Sequence, residues 1–376
     1  MRRSRFALAT LALALSITAA PSSARAQPTS PDATRTLLIG AADGDDAYLF
    51  SRISAAVRLS SGIIVVANQG SSELRWFSPT GRWIRSRGRQ GDGPGEFRGL
   101  RRFLRLPGDS LLAEDGLSAR MTLYDSAGAL ARSWNIAEAA ASVTPPPLGR
   151  LRDGSFVALA ERALARPPGY TRFEASVLRY RDGKIVDTLL TSVGGEWFTV
   201  GCGTQQSPGL CGVGVPYGLR SLAATAGPFV YLGNGERYEV QRLDVRTQRV
   251  DTLRRDVPAR PLSAARRAAF IDSVSGMVTE ARRELARQRF ATAPVRRTMP
   301  FFELLATDDR GNLWVARPQE RTGTVREWDV FSAEGRFVRT VMLQASLVVT
   351  AIAEGYVVGV TRDADGVEFV AVYRLR

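Results

Sequence analysis

A two-part unit recurs six times along this chain. The first part is a turn glycine with a run of β-formers: SSGIIVVA at Gly62, PGDSLLA at Gly108, RDGSFVAL at Gly154, AGPFVYL at Gly227, RGNLWVA at Gly311 and EGYVVGV at Gly355. The second is an alternating run closed by Phe77, Tyr124, Tyr180, Leu243, Phe331 or Tyr373, usually with a further turn after it. Glycine and closing residue stand 15 to 26 residues apart. Four short strands over about 40–50 residues make one blade of a β-propeller. The repeat therefore predicts an all-β, six-bladed β-propeller.

The ends of the chain predict how the ring closes. The last repeat holds three strands, Leu347 to Ala353, Tyr356 to Thr361 and Glu368 to Leu375, and then the chain stops. Thr36-Leu37-Leu38-Ile39 supplies a fourth, which leaves no open sheet edge. Ahead of it, Arg2, Arg3 and Arg5 precede an apolar run from Phe6 to Ala20, and Ala24-Arg25-Ala26 reads as a cleavage site. Residues 1–26 are thus expected to be a signal peptide, 27–35 a flexible mature N-terminus and 36–376 the propeller. The expected location is the periplasm or the exterior, with no transmembrane segment in the mature chain. In an oxidising compartment, Cys202 and Cys211, the only cysteines, are expected to form a disulfide.

The formal charge is +14, nearly all of it arginine, because Lys184 is the only lysine. Removing Arg2, Arg3, Arg5 and Arg25 lowers it by four. The arginines are scattered and no arginine-aromatic recognition motif appears, so no specific nucleic-acid partner is expected. A monomer is expected.

Connection lengths single out one face. The A–B and C–D turns are short, whereas the B–C and D–A connections, which share a face, include 85–98, 163–172, 193–216, 255–300 and 317–324. Insertions gathered on one face mark it for binding. The longest is expected to hold a helix over about 262–292, between blades four and five. Ser263 stands as its N-cap, and Phe270, Val274, Met277, Ala281 and Leu285 form one apolar stripe.

The run Gly88-Arg-Gln-Gly91-Asp-Gly93-Pro-Gly95-Glu-Phe97 resembles the glycine-rich linker of NHL-repeat and TolB-like six-bladed propellers. Asp308-Asp309-Arg310-Gly311-Asn312-Leu313-Trp314-Val315 is similar to one of their strands. The resemblance runs from about residue 36 to the end and implies the fold. Its relatives include binding modules, peptide-amidating lyases and calcium-dependent lactonases, so it implies no single activity. In the linker, the glycines permit a tight crossing between blades, and Phe97 is expected to plug the gap between blades one and two.

The chain has no histidine. Ser-His-Asp and Cys-His nucleophilic systems and histidine-held zinc are excluded with it. The expectation is an exported, non-catalytic propeller that binds a protein, peptide or glycan. Its candidate contact residues are Arg87, Arg89, Asp92, Glu96, Arg98, Arg166, Tyr170, Arg172, Trp197 and Arg220. No cofactor is expected. The alternative is a calcium-dependent lactonase- or esterase-like hydrolase, with Asn68, Glu114, Asp115, Asn234, Glu236 and Glu320 as oxygen ligands. The acidic stretches at 43–46 and 363–366 lack the order of a calcium loop and read as turns.

Overall fold

The structure, a computed structural model, describes residues 31–376 apart from 136–146, 163–168, 182–183, 202–209, 276–282, 285–286, 289–290, 320–322 and 354. A first strand, β1 (Ala33–Ile39), is followed by five complete blades. Blade one is β2 (Ile53–Arg58), β3 (Ile64–Asn68), β4 (Glu73–Phe77) and β5 (Trp83–Arg87). Blade two is β6 (Leu100–Arg105), β7 (Leu111–Asp115), β8 (Arg120–Tyr124) and β9 (Leu130–Asn135). Blade three has a fifth strand: β10 (Pro147–Arg150), β11 (Phe156–Arg162), β12 (Gly169–Arg181), β13 (Lys184–Gly201) and β14 (Leu210–Gly214).

Blade four is β15 (Leu222–Ala226), β16 (Phe229–Gly233), β17 (Glu239–Asp244) and β18 (Arg249–Arg254). The helix α1 (Ala264–Ser275) comes next, then blade five: β19 (Leu304–Thr307), β20 (Leu313–Ala316), β21 (Val325–Phe331) and β22 (Phe337–Gln344). Blade six is β23 (Val348–Ala353), β24 (Tyr356–Arg362) and β25 (Glu368–Leu375), with β1 as its outer strand.

Burial follows position in the blade. The second strands β3, β7 and β20 are buried at every residue. Each lies inside its own sheet and is covered on both sides by a neighbouring blade; their residues are apolar except at the ends of β3 and β7, where Asn68, Glu114 and Asp115 are buried. The outer strands β5 and β9 are largely exposed. The core divides into six clusters, one for each blade interface. Between blades one and two, Trp76, Leu100, Phe103 and Leu111 pack around Phe97, which is fully buried and fills the gap as expected. Gly88 must be glycine beside it. Its φ is +92°, and a Cβ there would meet the Ser72 carbonyl at 2.8 Å and the Phe97 ring at 2.9 Å.

The ring closes as the sequence implies. β1 pairs antiparallel with β25, from Ala33 opposite Leu375 to Ile39 opposite Val370, with a bulge between Arg35 and Leu37. Asp32 extends the seam: its carboxylate accepts from the Met342 amide at 2.7 Å and its carbonyl from the Arg376 amide at 3.0 Å.

Two segments read as loops are strand. β12 and β13 overshoot the body of blade three, pairing Gly169 with Thr199 and Arg172 with Glu196. β14 then adds to β13 over Trp197 to Gly201. The 193–216 connection is therefore mostly a ribbon, built by ladder hydrogen bonds that the turn-rich composition concealed. Cys202 lies outside the described residues, and the expected disulfide with it.

Of the expected helix over 262–292, α1 covers Ala264–Ser275 and further helical residues occur at 283–284, 287–288 and 291–292; 276–282, with Met277 and Ala281 of the expected stripe, and Leu285 lie outside the described residues. Ser263 caps it, its Oγ accepting from the Arg266 amide at 3.2 Å. The insertion leaves and rejoins the disc at one point. Pro261 and Thr298 form an antiparallel bridge, Leu262 N–H donates to Arg297 O at 2.9 Å, and Met299 N–H to Arg260 O at 2.9 Å. Replacing 263–296 by Asn-Gly, a hairpin turn, is therefore expected to leave the disc folded. Its melting temperature should stay within about 5 °C of the parent, by calorimetry. A collapse of the cooperative transition would show that the insertion is part of the core.

Candidate functional site

The A–B and C–D turns span two to five residues each, whereas 255–303 alone joins blade four to blade five on the opposite face. On that longer-looped face, beneath α1, lies a cavity of about 300 Å³. Its walls come from three D–A and B–C segments and the helix. Val215, Tyr217, Gly218 and Arg220 precede β15, Pro300, Phe302 and Glu303 precede β19, Arg326 opens β21, and Phe270 comes from α1.

The chain turns sharply at Val215–Gly218, where the Gly218 amide donates to Val215 O at 2.7 Å. Pro216 presets the turn, and Tyr217 takes φ +53° in the third position. A turn of that shape ordinarily uses glycine there. Holding a tyrosine in the left-handed region costs about 1–3 kcal/mol. The Tyr217 ring lies against Phe270, with centroids 5.2 Å apart.

Arg326 is largely buried. One guanidinium nitrogen meets Glu303 Oε2 at 2.8 Å, and Nε donates to the Arg317 carbonyl at 3.0 Å. Burial lowers its pKa, against the opposing pull of Glu303. Arg220 is exposed at the rim of the cavity and makes no ion pair or hydrogen bond among the described residues.

Glu196 braces this region. Its side chain is 3% exposed. Oε1 accepts from Tyr170 Oη at 2.8 Å and from Arg296 at 2.5 Å, and Oε2 from the Leu219 amide at 2.9 Å. One carboxylate thus joins the blade-three ribbon, the turn before β15 and the return of the helical insertion. Burial, with Glu196 adding to it, pushes the Tyr170 hydroxyl up to about 12. Arg172 reaches across to grip both oxygens of Glu236 at 3.0–3.2 Å. Trp197 is half-buried against Phe173, centroids 5.9 Å apart.

The sequence candidates divide between this face and the blade seams. Tyr170, Arg172, Trp197 and Arg220 gather around the ribbon and cavity, while Arg166 and Glu320 lie outside the described residues. The glycine-linker charges pair among themselves, Arg89 with Glu96 at 2.6 Å and Arg98 with Asp92 at 2.5 Å. Glu96 also accepts from the Gly93 amide, which, with Arg89, holds its pKa low. Arg87 is exposed at the end of β5.

Three of the oxygen-ligand candidates tie chain crossings in place. Asn68 accepts from the Ser51 amide at 2.9 Å. Asp115, fully buried, accepts from the amides of Arg98, Gly99, Leu117 and Ser118 at 2.8–3.2 Å. Asn234 accepts from the Glu236 amide and donates to Val193 O. Glu114 is buried between blades, its nearer oxygen 4.0 Å from Arg102. Burial raises its pKa, against the pull of Arg102. Among the described residues, no three acidic side chains converge as a metal-ligand group. Asp45 caps a short 3-10 turn, and Asp363 accepts from the amides of Asp365 and Val367, as turns do.

Sequence reading missed Tyr217, Glu303 and Arg326. Tyr217 left a faint trace as a bulky residue between Pro216 and Gly218; the other two are a blade apart in sequence from Arg220 and meet it only through the ring.

No protein-family model matches this chain, and no curated protein matches it. Solved structures do. A candidate exported protein from Bacteroides fragilis is 10% identical over 90% of this chain and 94% of that one, with a TM-score of 0.50. Virginiamycin B lyase from Staphylococcus aureus is 8% identical over 87% and 97%, TM-score 0.40. The calcium-binding protein regucalcin from Agrobacterium tumefaciens is 12% identical over 88% and 94%, TM-score 0.36. The first of these likenesses is one of fold, and the chain is a six-bladed β-propeller. No helix among the described residues is long and apolar enough to cross a membrane.

Proposed function

We propose that this protein is an exported binding propeller of the NHL-repeat or TolB-like type. It recognises a protein, peptide or glycan on the face that carries α1 and the blade-three ribbon. The observation that carries this reading is the cavity beneath α1, walled by aromatic rings and arginines and braced by Glu196. Concave, mostly apolar sites with a few converging polar groups are the usual form of a ligand site. The absence of histidine in the sequence is consistent with recognition without catalysis.

The test uses the full chain in the cell that makes it. A photo-crosslinking amino acid is placed at Tyr170, Arg87 or Phe270 on the proposed face, and at Arg82 or Arg310 on the opposite one. Adducts are expected from the first set alone, and those at Tyr170 are expected to disappear when 263–296, which includes Phe270 itself, is replaced by Asn-Gly. Equal adduct yields from both faces would remove the reading.

A further inference from the structure

We infer that the cavity beneath α1 takes a carboxylate carried on an aromatic or branched apolar body. This deepens the proposed function, because it rests on the same face. Three observations support it. First, the cavity carries one positive charge in excess. Arg326 is matched by Glu303 at 2.8 Å, whereas Arg220 at the rim has no partner among the described residues. An arginine fork matches a carboxylate in geometry, and a partly desolvated site strengthens the pairing. Second, the remaining wall is apolar and aromatic: Val215, Tyr217, Leu222, Phe270, Phe302 and Leu304. A volume of about 300 Å³ lies at the small end of ligand sites, suited to one aromatic side chain with its acid group.

Third, Tyr217 is held at φ +53° where glycine would be unstrained. Strain kept at a cavity wall points to a use for the side chain that strains it. Here the ring closes against Phe270 and supplies a stacking surface. A free organic acid and the C-terminal residue of a peptide share the required chemistry.

The experiment is calorimetric titration of the intact mature chain with N-acetyl-L-phenylalanine, its uncharged amide and N-acetyl-L-alanine. The aromatic acid is expected to bind at least about tenfold more tightly than either of the others, which is about 1.4 kcal/mol. Arg220→Leu is expected to erase the preference for acid over amide with the melting temperature unchanged. Tyr217→Gly should weaken the aromatic acid several-fold while raising the melting temperature, a pairing that a merely structural tyrosine would not give. Ala-Ala-Phe with a free or an amidated terminus separates the sources. Tighter binding of the free-terminus peptide than of the single residue assigns a chain end; binding of the small acid alone assigns a free acid.

Equal affinity for acid and amide overturns the inference, as does a preference that survives Arg220→Leu. Failure of every carboxylate probe to bind the folded chain does the same. If crosslinks still map to the insertion-bearing face in that case, the cavity assignment falls while the binding propeller stands.

Discussion

Deletion of residues 27–40 is expected to lower the melting temperature by at least about 10 °C, or to abolish the cooperative transition. The segment contains β1, the outer strand of blade six, so its loss opens the one seam at which the chain closes on itself. Ile39 is 2% exposed, and burying such a side chain contributes about 2–3 kcal/mol. The ladder to β25 and the Asp32 stitch to Met342 are lost with it. The newly bare edge of β25 becomes a template for aggregation. A total of about 5 kcal/mol or more, at about 2–4 °C per kcal/mol, gives the stated shift. Ile39→Ala alone should cost about 2–4 kcal/mol. Thermal melts followed by circular dichroism decide the matter: a truncated chain melting within two degrees or so of the parent would mean that β1 does not hold the ring.

The second large effect is expected at Asp115. Its carboxylate accepts four backbone amides at the crossing from blade one to blade two and is fully buried. Asp115→Ala should destabilise the disc by about 3–5 kcal/mol, because those amides would be left without a partner. Burial alone would raise the pKa of Asp115, but the hydrogen bonds from Ser118 and from the amides of Arg98 and Gly99 outweigh it and hold it low. The folded value thus lies below the unfolded value of about 3.9. The stabilisation is full above about pH 4 and is lost as pH falls through the folded value. Denaturant titrations across pH 2–6 should show this loss in the parent and a shallower acid limb in Asp115→Asn. A parent and variant with identical acid limbs would mean that Asp115 does not carry the effect.

Blade count, closure and the face that carries the insertions were legible because each rests on local chemistry. Turn glycines recur at near-blade spacing ahead of runs of β-formers, and the last repeat lacks a strand that Thr36–Ile39 can provide. Ser263 as a cap was legible for the same reason. The overshooting ribbon of blade three was not. A strand paired outside the sheet body carries no burial pattern, and the glycines and prolines around it look like a loop.

The site divides along the same line. Sequence alone pointed to Tyr170, Arg172, Trp197 and Arg220 as aromatic and basic contact residues. It also offered Asn68 and Asp115 as calcium ligands in the alternative reading, and Arg89 and Arg98 as contact residues. Tertiary structure placed those four otherwise, tying Asn68 and Asp115 to backbone amides and pairing Arg89 and Arg98 with Glu96 and Asp92. It also brought Tyr217, Phe270, Glu303 and Arg326 to one cavity. The six-bladed ring and its one insertion-bearing face follow from the residues alone, because repeats and turns are set by residues near one another in the chain. Which residues share the cavity only the closed ring decided, because residues as far apart as Val215 and Arg326 meet only when neighbouring blades pack; the pairs Arg89–Glu96 and Arg98–Asp92 are local and were set by the fold of the linker itself.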